Sequence, residues 1–133
     1  MNVKRLLLAA GAVYVCYEIL NLLIHMVVMG PQYMEMKDVW RTNMMDIMWV
    51  MYITNFIMSF FFVYIFAKGY EDKGLGEGLR YGLIMAGFTA PAASMSQYVL
   101  YNVPLAVALQ WIVYQGLQIT VCGLVASLVY KKN

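Results

Sequence analysis

The chain has 133 residues, of which 63% are hydrophobic and only 12% are charged, and its formal net charge is +2. Soluble domains carry about 25% charged residues, so this composition excludes an ordinary soluble domain and predicts an integral membrane protein. Because the basic residues flank the apolar segments, the small positive charge indicates membrane topology rather than nucleic-acid binding.

Four apolar runs are long enough to cross a bilayer as helices, which requires about 20 residues each. In chain order they cover about residues 6–29, 45–67, 79–101 and 105–130. The first run exceeds the apolar part of a signal peptide, so we expect it to be retained as a helix. The segments FIMSFFFVYIF and LIMAGFTAPAA lack the alternation of membrane β-strands. We therefore predict an all-α bundle of four transmembrane helices that forms a single domain over residues 1–133.

Basic residues favour one side of this predicted bundle. Lys37 and Arg41 lie on one side, and seven others lie on the opposite side: Lys4, Arg5, Lys68, Lys73, Arg80, Lys131 and Lys132. The positive-inside rule therefore predicts that both termini are cytoplasmic, with residues 30–43 and 102–104 outside.

The two longer connections differ in character. The outer one, GPQYMEMKDVWRTN, mixes aromatic, apolar and charged residues, which is typical of a short element lying in the headgroup region. Asn43 and Asp46 at its end resemble a helix N-cap followed by an acidic first turn. The inner one, KGYEDKGLGEGLRYG, lacks the strand and the Lys-Ser/Thr of a phosphate-binding loop, so its glycines indicate a turn.

Small residues recur about every four positions on the third and fourth predicted helices. Such spacing lets helix backbones approach closely in lipid. We predict a helix-packing interface, within the bundle or between protomers, at Gly78, Gly82, Ala86, Gly116 and Gly123. Pro91 predicts a kink in the third helix.

Polar residues within the apolar runs indicate a polar pocket. Glu18, Asn21 and His25 are spaced three and four apart and share a helix face. The other helices contribute Tyr52, Asn55, Gln97, Gln115 and Gln118. Their depths predict a pocket that opens outward and ends near the bilayer midplane, above an apolar cytoplasmic half.

An ionisable residue within a membrane span is a functional hypothesis by default. Glu18 could hold helix register through hydrogen bonds, or it could couple protons or ions to transport, since small multidrug exporters carry a carboxylate in the first of four short helices. His25 could ligate haem with a methionine or a second subunit's histidine, and with Tyr52 and Trp111 it could line a quinone site.

Copper is a further alternative, because thioethers bind Cu(I). Eight of the twelve methionines fall in one segment, at positions 26, 29, 34, 36, 44, 45, 48 and 51. Cys16 and Cys122 lack metal-binding spacing and are interpreted as packed apolar residues. The sequence contains no catalytic combination of nucleophile, base and orienting acid, and no complete set of metal ligands. We therefore expect no enzyme, no cofactor and no bound metal.

Several short motifs resemble an uncharacterised family of small bacterial four-helix inner-membrane proteins. They are LIH at residues 23–25, Tyr33, VWR at 39–41, FVYIFAKG at 62–69 and GEGLRYG at 76–82. The resemblance covers nearly the whole chain and implies a multi-pass protein of the bacterial cytoplasmic membrane. It marks the positions His25, Tyr33, Trp40, Arg41, Glu77 and Arg80. Glu77 and Arg80, three apart, are expected to form a surface pair.

These observations favour a non-catalytic membrane module, structural or accessory, that self-associates or joins a larger membrane complex. Its expected partners are therefore lipid, further copies of the chain and subunits of a membrane complex, and not nucleic acid. Transport through Glu18 is the main alternative, followed by binding of haem, quinone or copper.

Overall fold

The computed structural model describes residues 1–131; Lys132, counted above among the cytoplasmic basic residues, lies outside them. It is 84% helical without strands in the described part, which confirms the all-α prediction. The helices are α1 (Val3–Leu22), α2 (Gly30–Glu35), α3 (Met44–Ile47), α4 (Trp49–Lys68), α5 (Leu75–Leu100) and α6 (Leu105–Val129). A π-helical turn, Leu23–Val28, continues α1, and a 3-10 turn, Lys37–Val39, follows α2.

Three helical segments of the described chain are long and apolar enough to cross a membrane: Val3–Val28, Met44–Lys68 and Leu105–Val129. These segments indicate a membrane protein. The 26-residue α5 is equally long but is not among them. Its first turns carry Glu77 and Arg80, and its second half contains threonine, proline, two serines and a glutamine, so its sequence is less apolar.

The long helices pack in the order α4, α1, α6, α5, with α1 and α6 in the centre. We call the end of the bundle that holds residue 3, the connection 69–74 and residue 130 the terminal end, and the opposite end the distal end. The larger core lies toward the terminal end and contains Leu6, Ala9, Ala10, Val13, Phe62, Val63, Phe66, Ala86, Ile119, Cys122, Ala126 and Tyr130. A smaller distal core contains Met29, Val103, Val107 and Trp111.

Glycines bring α5 and α6 into close contact. A Cβ built on Gly82 would lie 2.8 Å from the Cα atom of Thr120, and one on Gly123 would lie 2.7 Å from the Cα atom of Gly82. A Cβ on Gly78 would overlap Ser127, and Ala86 is buried. These predicted packing residues therefore act within the bundle. Gly116 does not belong to this contact, because a Cβ there meets no atom within 4 Å.

The expected surface pair between Glu77 and Arg80 is wrong. Glu77 is only 4% exposed, and its carboxylate accepts hydrogen bonds from the backbone N–H groups of Glu71 (2.7 Å) and Lys73 (2.9 Å). Arg80 instead pairs with Glu71 at 3.2 Å, and Lys73 pairs with Glu71 at 2.7 Å. The hydrogen bonds from Lys73 and Arg80 lower the pKa of the Glu71 carboxyl below its ordinary value. Through these two hydrogen bonds, Glu77 holds the connection 69–74 against the first turn of α5.

The start of α3 and the proline within α5 were both singled out by the sequence. Asn43 precedes α3 as predicted, but its side chain makes no capping bond, and the N–H of Asp46 bonds to the Asn43 carbonyl oxygen at 3.1 Å. The helix α5 runs through Pro91 without ending.

The close contact of α5 and α6 predicts unequal effects for two glycine substitutions on α6. Gly123→Ala should lower the free energy of unfolding by about 1–3 kcal/mol, because the added methyl meets backbone atoms of Gly78 and Gly82 that cannot rotate away. Gly116→Ala adds the same methyl to open space and serves as the matched control. Thermal unfolding in detergent would compare the two, and equal losses would contradict the contact.

Candidate functional site

The first candidate site is an aromatic cluster at the distal end, built where α1 changes its winding. The N–H of Met29 bonds to the carbonyl oxygen of Ile24, five residues earlier, at 2.8 Å. Such π-helical turns are often found at functional sites. The turn contains His25, and the following helix α2 carries Tyr33 back toward it.

The hydroxyl of Tyr33 is the centre of this cluster. It lies 2.7 Å from Nδ1 of His25 and 3.4 Å from Sδ of Met29. The indole N–H of Trp111, on α6, donates to the same oxygen at 2.6 Å. One phenol therefore connects the end of α1, the outer segment and α6.

Aromatic packing holds Tyr33 in place. Its ring stacks on His25 with centroids 5.8 Å apart and meets Trp40 edge-on at 5.0 Å. The indole N–H of Trp40 also donates to the backbone carbonyl of Tyr33 at 3.1 Å. Burial raises the pKa of the Tyr33 phenol above its ordinary value, and the hydrogen bond from Trp111 offsets part of that rise. The phenol thus stays protonated and has a hydrogen to donate.

The cluster accommodates either neutral tautomer of His25. Because Trp111 donates to the phenol oxygen, the single phenol hydrogen is available to Nδ1 of His25 or to Sδ of Met29. In the first arrangement His25 carries its proton on Nε2; in the second, Nδ1–H donates to Tyr33. Every polar group at the phenol is paired in both.

The second candidate site lies within the α1 and α4 spans. The amide of Asn55 donates to Oε1 of Glu18 at 2.9 Å, and both residues are half-buried. Next to this bond the rings of Tyr14 and Phe56 meet edge-on, 5.5 Å apart. This is the one pair of predicted pocket residues that a described hydrogen bond joins directly.

Among the described residues, no hydrogen bond joins the remaining predicted pocket residues to one another. The amide of Gln118 donates to the carbonyl oxygen of Tyr17 at 3.0 Å, joining α6 to α1. Tyr52 is 48% exposed, and its hydroxyl contacts Sδ of Met48. Asn21 and Gln115 are half-buried, and Gln97 is exposed.

Sequence reasoning missed the role of Met29 and the central position of Tyr33. The family resemblance marked Tyr33 and Trp40 without a role, and Trp111 was considered with His25 only as part of a quinone site. The signal that could have found the cluster is the grouping of aromatic and imidazole side chains at the same predicted depth. Met29, only 1% exposed, looked like one methionine among eight.

Neither the metal-ligating side chains of the described residues nor the comparisons with known proteins assign a function to these two sites. Within residues 1–131, no three His, Cys, Asp or Glu side chains come together in a group that could hold a metal ion. The sequence matches no family model, and comparisons with curated proteins and solved structures also find no match.

The hydroxyl of Tyr33 should stabilise the distal end. Tyr33→Phe leaves the buried Trp111 N–H without an acceptor, so we expect a loss of about 1–3 kcal/mol in the free energy of unfolding. A red shift of tryptophan emission should accompany it. Tyr101→Phe, at a ring that is 56% exposed, is the control. Thermal unfolding and fluorescence in detergent would show whether the two variants differ; identical behaviour would contradict the central role of the phenol.

Proposed function

We propose that this chain is a non-catalytic integral membrane protein, a structural or accessory module that works in an assembly of its own copies or within a larger membrane complex. The observation that carries the proposal is the lack of packing around the distal half of α4. Residues 44–58 include no buried side chain, and only Met48 and Asn55 are half-buried.

The exposed side of α4 is a continuous stripe. Trp49, Ile53, Ile57 and Phe61 are four residues apart and are 48–60% exposed. The buried residues of α4, among them Ser59 and Phe66, lie on the opposite face. Within the described residues, α4 packs extensively on one long helix, α1, and it reaches α5 through the Tyr81 hydroxyl, which donates to the Phe62 carbonyl. Along its distal half, where no side chain is buried, α4 has room for a partner helix.

The polar bonds of the interior support a structural role. Glu18 with Asn55 joins α1 to α4, Gln118 joins α6 to α1, and Tyr33 joins α1 to α6. Each bond links separate elements, as expected of groups that fix helix register in lipid.

We also propose a location in the bacterial inner membrane, as the family resemblance implies, with α5 as the fourth crossing. The charge distribution supports an orientation with the terminal end in the cytoplasm. Lys4, Arg5 and Lys68 are all exposed at the terminal end. The positive-inside rule places such residues on the cytoplasmic side.

Site-specific cross-linking tests the assembly. In a Cys16→Ala, Cys122→Ala background, Trp49→Cys should form disulfide-linked dimers in native membranes if copies meet along the α4 stripe. If a larger complex uses the stripe, a photoreactive maleimide on that cysteine should capture one defined subunit. Val113→Cys, 59% exposed on α6, is the control. A monomer in native mass spectrometry, with no adduct preferred at residue 49, would contradict the proposal.

Transport through Glu18 is the second candidate function, and it is favoured by the half-buried carboxylate beside the sparsely packed half of α4. A register role predicts that Glu18→Gln stays near wild-type stability, since the amide oxygen still accepts from Asn55. It also predicts that Glu18→Leu loses about 1 kcal/mol. Proton flux into proteoliposomes should then be absent in wild type and variants. Flux in the wild type that Glu18→Gln abolishes, without loss of assembly, would instead establish transport.

A further inference from the structure

Two metal-ligating atoms converge on one point in the distal cluster. Nδ1 of His25, the only histidine of the chain, lies 2.7 Å from the Tyr33 hydroxyl oxygen, and Sδ of Met29 lies 3.4 Å from the same oxygen. The separation of the nitrogen and the sulfur therefore cannot exceed the sum of these two distances. Both atoms come from the same turn of backbone, which the π-helical bond between Met29 and Ile24 closes.

An imidazole nitrogen with a thioether sulfur is a donor set with a definite preference. Thioethers bind soft cations, and imidazole also suits copper, whereas magnesium and calcium require oxygen ligands. Neither donor carries a charge, and Met29 is 1% exposed, so a monovalent ion fits this setting better than a divalent one.

We propose that His25 and Met29 form a binding site for a soft monovalent cation, Cu(I) or Ag(I). In the tautomer with its proton on Nε2, the lone pair of Nδ1 accepts from the Tyr33 hydroxyl and becomes available to the ion when that hydroxyl withdraws. The hydroxyl occupies the point that both donors face, so the ion replaces it there.

Five further methionines with exposed side chains belong to the same segment of the chain: Met26, Met34, Met44, Met45 and Met51. Their thioethers are soft donors of the same kind as that of Met29.

Silver(I) is the probe of choice because it shares the ligand preference of Cu(I) without redox chemistry. Purified protein in chloride-free detergent buffer would be titrated with silver nitrate and followed by native mass spectrometry and calorimetry. We expect one tightly bound ion per chain. His25→Gln and Met29→Leu should each weaken that binding by about tenfold or more. Met58→Leu, at an exposed position outside this segment, should leave it unchanged.

Tyr33→Phe separates this proposal from a purely structural cluster. Removing the hydroxyl removes the group that competes with the ion, so silver affinity should be retained or increased even if the variant is less stable. X-ray absorption of the wild-type complex needs no variant and should show nitrogen and sulfur bound to silver. Absence of tight binding, binding unaffected by both His25→Gln and Met29→Leu, or a shell of sulfur alone would overturn the proposal. None of these outcomes bears on assembly through α4.

Discussion

A bilayer interior provides no water to satisfy a polar group, and this constraint determines how the polar residues of the chain are used. The amide of Gln118 reaches a backbone carbonyl on α1, and the amide of Asn55 reaches Glu18. The hydroxyls of Thr54 and Thr89 bond to carbonyls within their own helices. The two amides thus become links between helices, whereas the two hydroxyls are satisfied locally. The resulting order of helices, with α1 and α6 central, follows from these links together with the glycine contact of α5 on α6.

The two ends of the bundle are stabilised by different means. At the terminal end, aliphatic and aromatic side chains form a continuous core, and Phe66, Tyr81 and Tyr130 close it between α4, α5 and α6. At the distal end the core is small, and one phenol with three hydrogen-bonding neighbours joins the elements. Each of these three neighbours presents a polar or sulfur atom to the phenol, whereas the larger core is formed mainly by aliphatic and aromatic carbon.

The sequence was sufficient for the features that depend on composition and on helical period. Hydropathy predicted an all-α protein with apolar spans, and four-residue spacing predicted the contact of Gly78, Gly82 and Gly123. Gly116 shares this spacing but lies outside the contact, since a Cβ there meets no atom within 4 Å, and its predicted role between protomers stays a prediction. The surface position predicted for Glu77 is wrong because its role depends on a turn with positive φ at Asp72 and Gly74, which folds the chain back over the carboxylate. The meeting of Tyr33 with Trp111 joins residues 78 positions apart, and no local pattern encodes it.

The grouping of His25, Met29 and Tyr33 links a local backbone feature to the chemistry of the distal end. In a regular α-helix, side chains four apart lie one above the other on the same face. The π-helical turn closes between Ile24 and Met29, and the imidazole of His25 and the thioether of Met29 both reach the phenol that α2 presents. An insertion of this kind weakens helix regularity, and it persists where the surroundings stabilise it. Here the stabilisation comes from Trp40 and Trp111, which fix the backbone and the hydroxyl of Tyr33 from two further elements. The arrangement of His25, Met29 and Tyr33 therefore depends on several separate segments of the chain at once.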